Sequence, residues 1–258
     1  MTAVATPRAS RRHVLVTGGG RGLGAAIVAA LAADGHDVTF TYRSAVTQAK
    51  QAVTELAAAY PEQHFEALPI DLADREAVDA FAAQLEEGSF SGFVHNAGRT
   101  SDSLAPIIDQ TRAEVAMQVN FWSFARLAGA AVRPMMRARD GRIAVIGSIT
   151  ALRGNQGNAA YAASKAALLG HARTMAVELA RTGVTVNYLA PGFIDTNMMA
   201  PYADYRDRIE RDIPARRYAR PEEIASVVAF LMTPNASYLT GAVLPVDGGL
   251  SAAIGIHR

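Results

Sequence analysis

Seven short runs rich in Val, Ile, Phe and Thr recur along the chain, and a longer Ala-rich segment with apolar residues at helical spacing follows each of the first six. The runs cover 13–17, 37–42, 65–70, 92–97, 142–148, 184–191 and 242–247; the helical segments cover 25–35, 47–60, 75–87, 112–132, 160–182 and 221–232. A strand, then a helix, then a strand again is the pattern of parallel pairing, in which a crossover must bring the chain back before the next strand starts. Such a sheet carries helices on both faces. The expected fold is therefore α/β, with one parallel sheet of about seven strands. No Pro/Gly/Ser-rich linker divides it, so 13–258 is expected to be one domain behind a flexible tail at 1–12.

Composition narrows the function. Half of the 258 residues are apolar or aromatic and 19% are charged, as in a chain that buries a large core. A net charge of +1 gives no reason to expect nucleic acid or an anionic membrane as partner. The absence of cysteine rules out disulfides, thiolate metal sites and a cysteine nucleophile, and a cytoplasmic location is expected. The six histidines form no His-x-x-x-His pair, so no catalytic metal is expected. Arg11 and Arg12 are adjacent as in an export signal, but only four apolar residues follow before glycines interrupt. One long irregular segment, 191–221, is expected to be a functional loop with a short helix or two.

Between the first strand and first helix lies TGGGRGLG, Thr17 to Gly24. Glycines there let the backbone approach a ligand while the helix N-terminus aims its free N–H groups at a pyrophosphate, as in a Rossmann-type doubly wound fold. The dinucleotide fingerprint fits loosely, as Gly20, Gly22 and Ala25. The second strand then ends Thr41-Tyr42-Arg43, without the acid that an NAD site places against the adenosine ribose. Arg43 and Arg21 are instead placed to pair with a 2′-phosphate, which predicts NADPH as cofactor.

Farther along, Ser148 ends the fifth strand, Tyr161 comes thirteen positions later and Lys165 four after that. On a helix Tyr161 and Lys165 share a face. An ammonium beside a phenol is expected to lower the tyrosine pKa and make it a better proton donor and acceptor. In a parallel sheet Ser148 and the glycine turn open onto the same carboxyl-end crevice.

These motifs together resemble the short-chain dehydrogenase/reductase family over essentially the whole length. They are TGGGRGLG, Asp71 after the third strand, Asn96-Ala97-Gly98 ending the fourth, Asn120 in QVNFWSF, Ser148, YAASK, and APGFIDT at 190–196. Within that family the chain looks closest to the β-ketoacyl-[acyl-carrier-protein] reductases. The resemblance implies Tyr161 as general acid while a hydride arrives from C4 of the nicotinamide, and Ser148 as the group orienting the carbonyl. It implies Lys165 on the nicotinamide ribose, and Asn120 bending its helix and binding a proton-relaying water. It also implies a cofactor site made of Gly18, Gly20, Arg21, Gly22, Leu23, Arg43, Asp71, Leu72, Asn96, Ala97, Gly98, Tyr161, Lys165, Pro191, Gly192, Ile194 and Thr196. Asp71 would meet the adenine, while Ile194 and Thr196 would hold the carboxamide.

Two departures stand out. His95 takes the place of the first Asn in the family's frequent Asn-Asn-Ala-Gly and reads as a packed strand-end residue rather than a catalyst. Of the two arginines that dock an acyl carrier protein in such reductases, Arg139 matches one, whereas Thr182, beside Arg181, stands at the other position. Arg133, Arg137, Arg139 and Arg142 could still offer a positive surface at a helix end. The leading expectation is NADPH-dependent reduction of 3-oxoacyl thioesters, probed with carrier-bound and coenzyme A substrates, in fatty-acid or polyketide-type synthesis by a homotetramer. The alternatives are an oxidoreductase for another ketone, secondary alcohol or sugar, and a cofactor-binding protein without catalysis.

Overall fold

The computed structural model of the protein describes residues 11–253. Seven strands, β1 His13–Thr17, β2 Asp37–Tyr42, β3 Phe65–Pro69, β4 Gly92–His95, β5 Gly141–Ile146, β6 Val184–Pro191 and β7 Val243–Val246, form one sheet in the order β3-β2-β1-β4-β5-β6-β7. Every pair is parallel. From β1 the chain winds outward to β3, then crosses back to place β4 on the other side of β1. This switch point opens a crevice at the carboxyl ends of β1 and β4.

Strand alternation feeds two cores. Val14 and Val16 pack on one face with helices α1 Gly22–Ala33 and α8 Pro221–Met232. Leu15, Phe93, Ile143, Val145 and Val186 pack on the other with α3 Arg75–Glu87, α5 Ser123–Ala138 and α6 Ala159–Leu179. Helix α2 Val46–Ala59 also lies on the α1 face, burying Ala49. The N-terminus of α3 follows from its sequence: the Asp74 carboxylate accepts from the N–H groups of Glu76 and Ala77.

The expected tail of residues 1–12 falls outside the described residues for 1–10, and its last two residues are anchored in the fold. Arg11 pairs with Asp37, and the buried Arg12 bonds the Met232 carbonyl at 2.8 Å and the Asp140 carboxylate at 2.7 Å. The helix predicted over 112–132 runs on at both ends and changes pitch within: α4 Gln110–Met117 passes through a π-helical turn, Gln118–Trp122, straight into α5. Within 191–221 the chain forms a 3-10 segment, Asn197–Tyr205, and α7 Arg206–Asp212, and the two ends meet in a bridge between Ile194 and Ala219. No helix among the described residues is long and apolar enough to cross a membrane.

Candidate active site

The glycine turn lies at the switch point. Gly18 and Gly22 adopt φ +71° and +55°, which the absence of a Cβ permits. Helix α1 has no side-chain cap and no acidic residue in its first turn, so its leading N–H groups face the crevice free of an internal anion. Across the crevice, a Cβ built at Gly22 would come 3.7 Å from the Thr196 methyl. Arg21 and Arg43 are exposed, and among the described residues neither guanidinium has a hydrogen-bond or ion-pair partner. Asp71 is exposed and caps its own turn through the Ala73 N–H at 3.0 Å. Leu72 is buried, Leu23, Gly192 and Ile194 are half-buried, and Pro191 ends β6. An uncapped helix end, bare glycines and two free guanidinium groups fit the diphosphate and phosphate of a dinucleotide.

The Asn96-Ala97-Gly98 loop joins this cleft to the end that holds Asn120 and Lys165. The Asn96 carboxamide donates to the Thr17 and Gly18 carbonyls at 3.2 and 3.0 Å, tying the β4 loop to the glycine turn. A Cβ at Gly98 would lie 3.4 Å from Lys165 Nζ and 3.6 Å from Asn120 Oδ1. Asn120, in the π turn, accepts from the Arg99 N–H at 2.7 Å and donates to the Arg99 carbonyl at 3.0 Å and the Ser164 hydroxyl at 2.8 Å. Its carboxamide therefore clamps the loop to α6. The wider π turn lets a side chain insert here without breaking the helix.

Lys165 is 2% exposed and its ammonium donates to the Ile146 carbonyl at 2.8 Å, standing 5.8 Å from the Tyr161 ring centroid. The Ser148 Oγ receives Thr150 Oγ1 at 2.9 Å and Thr150 N at 3.2 Å. With both donors in place, the serine hydrogen is left for the Tyr161 phenol oxygen, where it favours the phenolate. Ser148 and Lys165 thus both stand beside Tyr161.

The expected pKa of Tyr161 is reversed. Burial pushes it up to about 12, helped by the Asp102 carboxylate and opposed only by Ser148. Lys165, its ammonium held by the Ile146 carbonyl at the end of β5, does not offset this, and burial brings Lys165 itself down to about 8. At neutral pH the phenol is protonated and stands beside an ammonium close to titration. Spacing supplied the neighbour but not the dehydration.

Sequence reasoning placed His95 as a packed strand-end residue, as it is, but missed its hydrogen bonds, and it missed Asp102. His95 is buried between Thr17 Oγ1 at 3.1 Å and the Asn120 carbonyl at 3.0 Å. Thr17 Oγ1 already accepts from the N–H groups of Asn96 and Ala97, so its proton goes to His95 Nδ1 and Nε2–H donates to Asn120. Burial lowers the His95 pKa to about 3, keeping it neutral. Asp102 accepts from the Tyr202 hydroxyl at 2.6 Å and the Asn158 amide at 2.7 Å, latching the 197–205 segment to the loops around Tyr161. No local motif marks these contacts, which join residues up to 100 apart in sequence. A cavity of about 230 Å³ lies under the same segment, lined by Thr196, Met199, Tyr202, Arg206 and Tyr218 among others.

The expected arginine surface is smaller than its sequence suggested. Arg142 is buried and bonds Asp140 and the Gly141 carbonyl, because it sits inside β5. Arg133, Arg137 and Arg139 are exposed; Arg133 pairs with Glu86 and Arg137 bonds the Glu86 carbonyl. Among the described residues no group of three or more His, Asp or Glu side chains could hold a metal ion.

Comparison with known proteins agrees with this geometry. The family described as Enoyl-(Acyl carrier protein) reductase matches residues 18–251. The 3-oxoacyl-[acyl-carrier-protein] reductase MabA of Mycobacterium tuberculosis is 40% identical over 97% of this chain and 98% of its own length. The 3-oxoacyl-[acyl-carrier-protein] reductase FabG of Escherichia coli is 38% identical over 92% of this chain and 96% of its own. Among solved structures, a putative NAD(P) dependent gluconate 5-dehydrogenase from Beutenbergia cavernae with bound NADP superposes with a TM-score of 0.90 at 35% identity, covering 96% of this chain and 100% of that one.

Proposed function

The chain belongs to the short-chain dehydrogenase/reductase family, and from that premise we propose that it uses NADPH to reduce 3-oxoacyl thioesters to (3R)-3-hydroxyacyl thioesters. Membership makes it an oxidoreductase that uses a nicotinamide cofactor. The observation that carries the substrate class is that two relatives named as 3-oxoacyl-[acyl-carrier-protein] reductases match nearly the whole chain. NADPH is supported by Arg21 and Arg43 standing free where a 2′-phosphate would need them.

A reduced nicotinamide nucleotide bound in the cleft supplies the hydride. Tyr161 gives the proton to the carbonyl oxygen, and its half-buried phenol, pushed up to about 12, is protonated at neutral pH. Ser148, fixed by Thr150, orients the carbonyl oxygen. Lys165, lowered to about 8, changes protonation within the working range and returns a proton to the phenol. Asn120 holds the loop against Lys165 and α6.

The thioester is presented by an acyl carrier protein at Arg133, Arg137 and Arg139, which are exposed at the end of α5. The working form is a cytoplasmic homotetramer, supported by the exposed Trp122 and Val177 on the two long helical segments. The likeness to a gluconate dehydrogenase favours a second reading, an oxidoreductase for a sugar acid or another ketone. Comparing kcat/KM on acetoacetyl thioesters, carrier-bound and coenzyme A-bound, with values on free ketones and gluconate separates the two. Thioester activity at trace level beside strong activity on a free ketone or sugar acid overturns the first.

A further inference from the structure

We propose that Tyr188 is a positioning residue of the reacting centre, its buried hydroxyl tying the Ser148 backbone to the Lys165 turn of α6. The inference rests on Ser148, Tyr161 and Lys165 being the proton-transfer group.

The observation begins with sheet register. In the β5 to β6 pair Val145 faces Tyr188 and Ile146 faces Leu189, and the Gly147 N–H extends the ladder by one bond to the Leu189 carbonyl at 2.7 Å. At Ser148 the chain turns away, so its N–H has no strand partner. The Tyr188 hydroxyl accepts that N–H at 3.1 Å and donates to the Lys165 carbonyl at 3.1 Å. One phenol thus satisfies the backbone of the serine and reaches the backbone of the lysine, which come from a strand end and a helix. Tyr188 is 1% exposed, so water does not substitute for either partner.

Gly147 makes the arrangement possible. A Cβ at that position would overlap the Tyr188 ring carbon that bears the hydroxyl and the hydroxyl oxygen itself. The glycine just before the serine and the tyrosine on the neighbouring strand therefore form a complementary pair. Seen from either position alone, the glycine has no turn to make and the tyrosine is a core residue in the same layer as Val186. Together they set the distance between the group that orients the carbonyl and the group that recharges the acid. Proton transfer depends steeply on such distances.

The test is Tyr188→Phe in the full chain, assayed with NADPH and the ketone or thioester that the wild type reduces best. NADPH binding is followed by fluorescence and exchange of the Ser148 amide by NMR. The tether predicts a fall in kcat on the order of 10- to 100-fold while KM and the NADPH Kd stay within about twofold. It also predicts faster Ser148 amide exchange. A kcat equal to wild type overturns the proposal and leaves the assignment of Tyr161 standing. If the wild type reduces none of the substrates, the assignment itself falls, and the amide decides alone: exchange at least about tenfold faster in the variant sustains the tether, and unchanged exchange refutes it. A second pair of variants guards against misfolding. Gly147→Ala is expected to lose Tm through overlap, and Gly147→Ala with Tyr188→Val to regain Tm with kcat still low. Wild-type kcat in that double variant contradicts the proposal.

Discussion

The two ends of the crevice are built in opposite ways. At the end proposed for the adenosine, Arg21 and Arg43 are exposed and unpartnered among the described residues. At the reacting end, Asn120, Ser148 and Lys165 are buried, with their polar atoms held by Arg99, Ser164, Thr150 and Ile146. Exposed charges act over distance through a flexible stem, tolerate small shifts and are screened by salt. Buried groups act by place, and each depends on neighbours that touch no substrate. Selection of the nucleotide and chemistry on the carbonyl are therefore separable by mutation.

Among the groups around Tyr161, Lys165→Met should do the most damage, lowering kcat/KM on the order of 10²- to 10⁴-fold through loss of the proton return. Steady-state assays check this, and a loss below about tenfold would erase the contrast between the two ends. Asn120→Ala comes next. It leaves the Arg99 N–H and carbonyl and the Ser164 hydroxyl short of a partner, and should cost roughly 2–4 kcal/mol in urea unfolding, together with activity.

The pH response follows from Lys165, which gives up its proton near 8 in the fold and near its ordinary 10.5 when unfolded. Between these values the unfolded chain holds the extra proton, so the Lys165 contribution to stability rises with pH across that window. Reductive kcat/KM moves the other way, declining about tenfold per pH unit above about 8. Tyr161, near 12, does not titrate there. A profile flat to pH 10 would place the working proton elsewhere.

The smallest effect is expected from Arg43→Ala, which should raise the NADPH Kd about tenfold, or about 1.4 kcal/mol, and leave the NADH Kd unchanged. Salt should weaken NADPH binding in the wild type more than in this variant. Equal salt dependence in both would mean that the guanidinium does not meet the phosphate.

Much of the fold was legible because it is carried by local period. β1, β2, β6, α3 and α8 occupy the very residues that alternation and helical spacing indicate. Motif order also indicated the candidate site, and Ser148 and Lys165 do lie beside Tyr161. What escaped depends on three-dimensional contact. The pKa of Tyr161 turned on burial, which spacing does not contain. Arg142 looked like surface charge until β5 enclosed it. His95 read only as packing, and Tyr188 drew no notice, because their hydrogen-bond partners lie 25 and 40 residues away. Asn120 was expected to bend its helix and lies in a π turn, while its clamp on Arg99 depends on a loop 21 residues upstream.

The central claim is that the Tyr161 hydroxyl delivers the proton and plays little part in holding the nucleotide. Single-turnover oxidation of NADPH, followed at 340 nm in Tyr161→Phe beside a fluorescence titration of NADPH binding, tests it most directly. The account predicts hydride transfer slowed at least about 10³-fold with the NADPH Kd within about threefold of wild type. Transfer at the wild-type rate in that variant would contradict it.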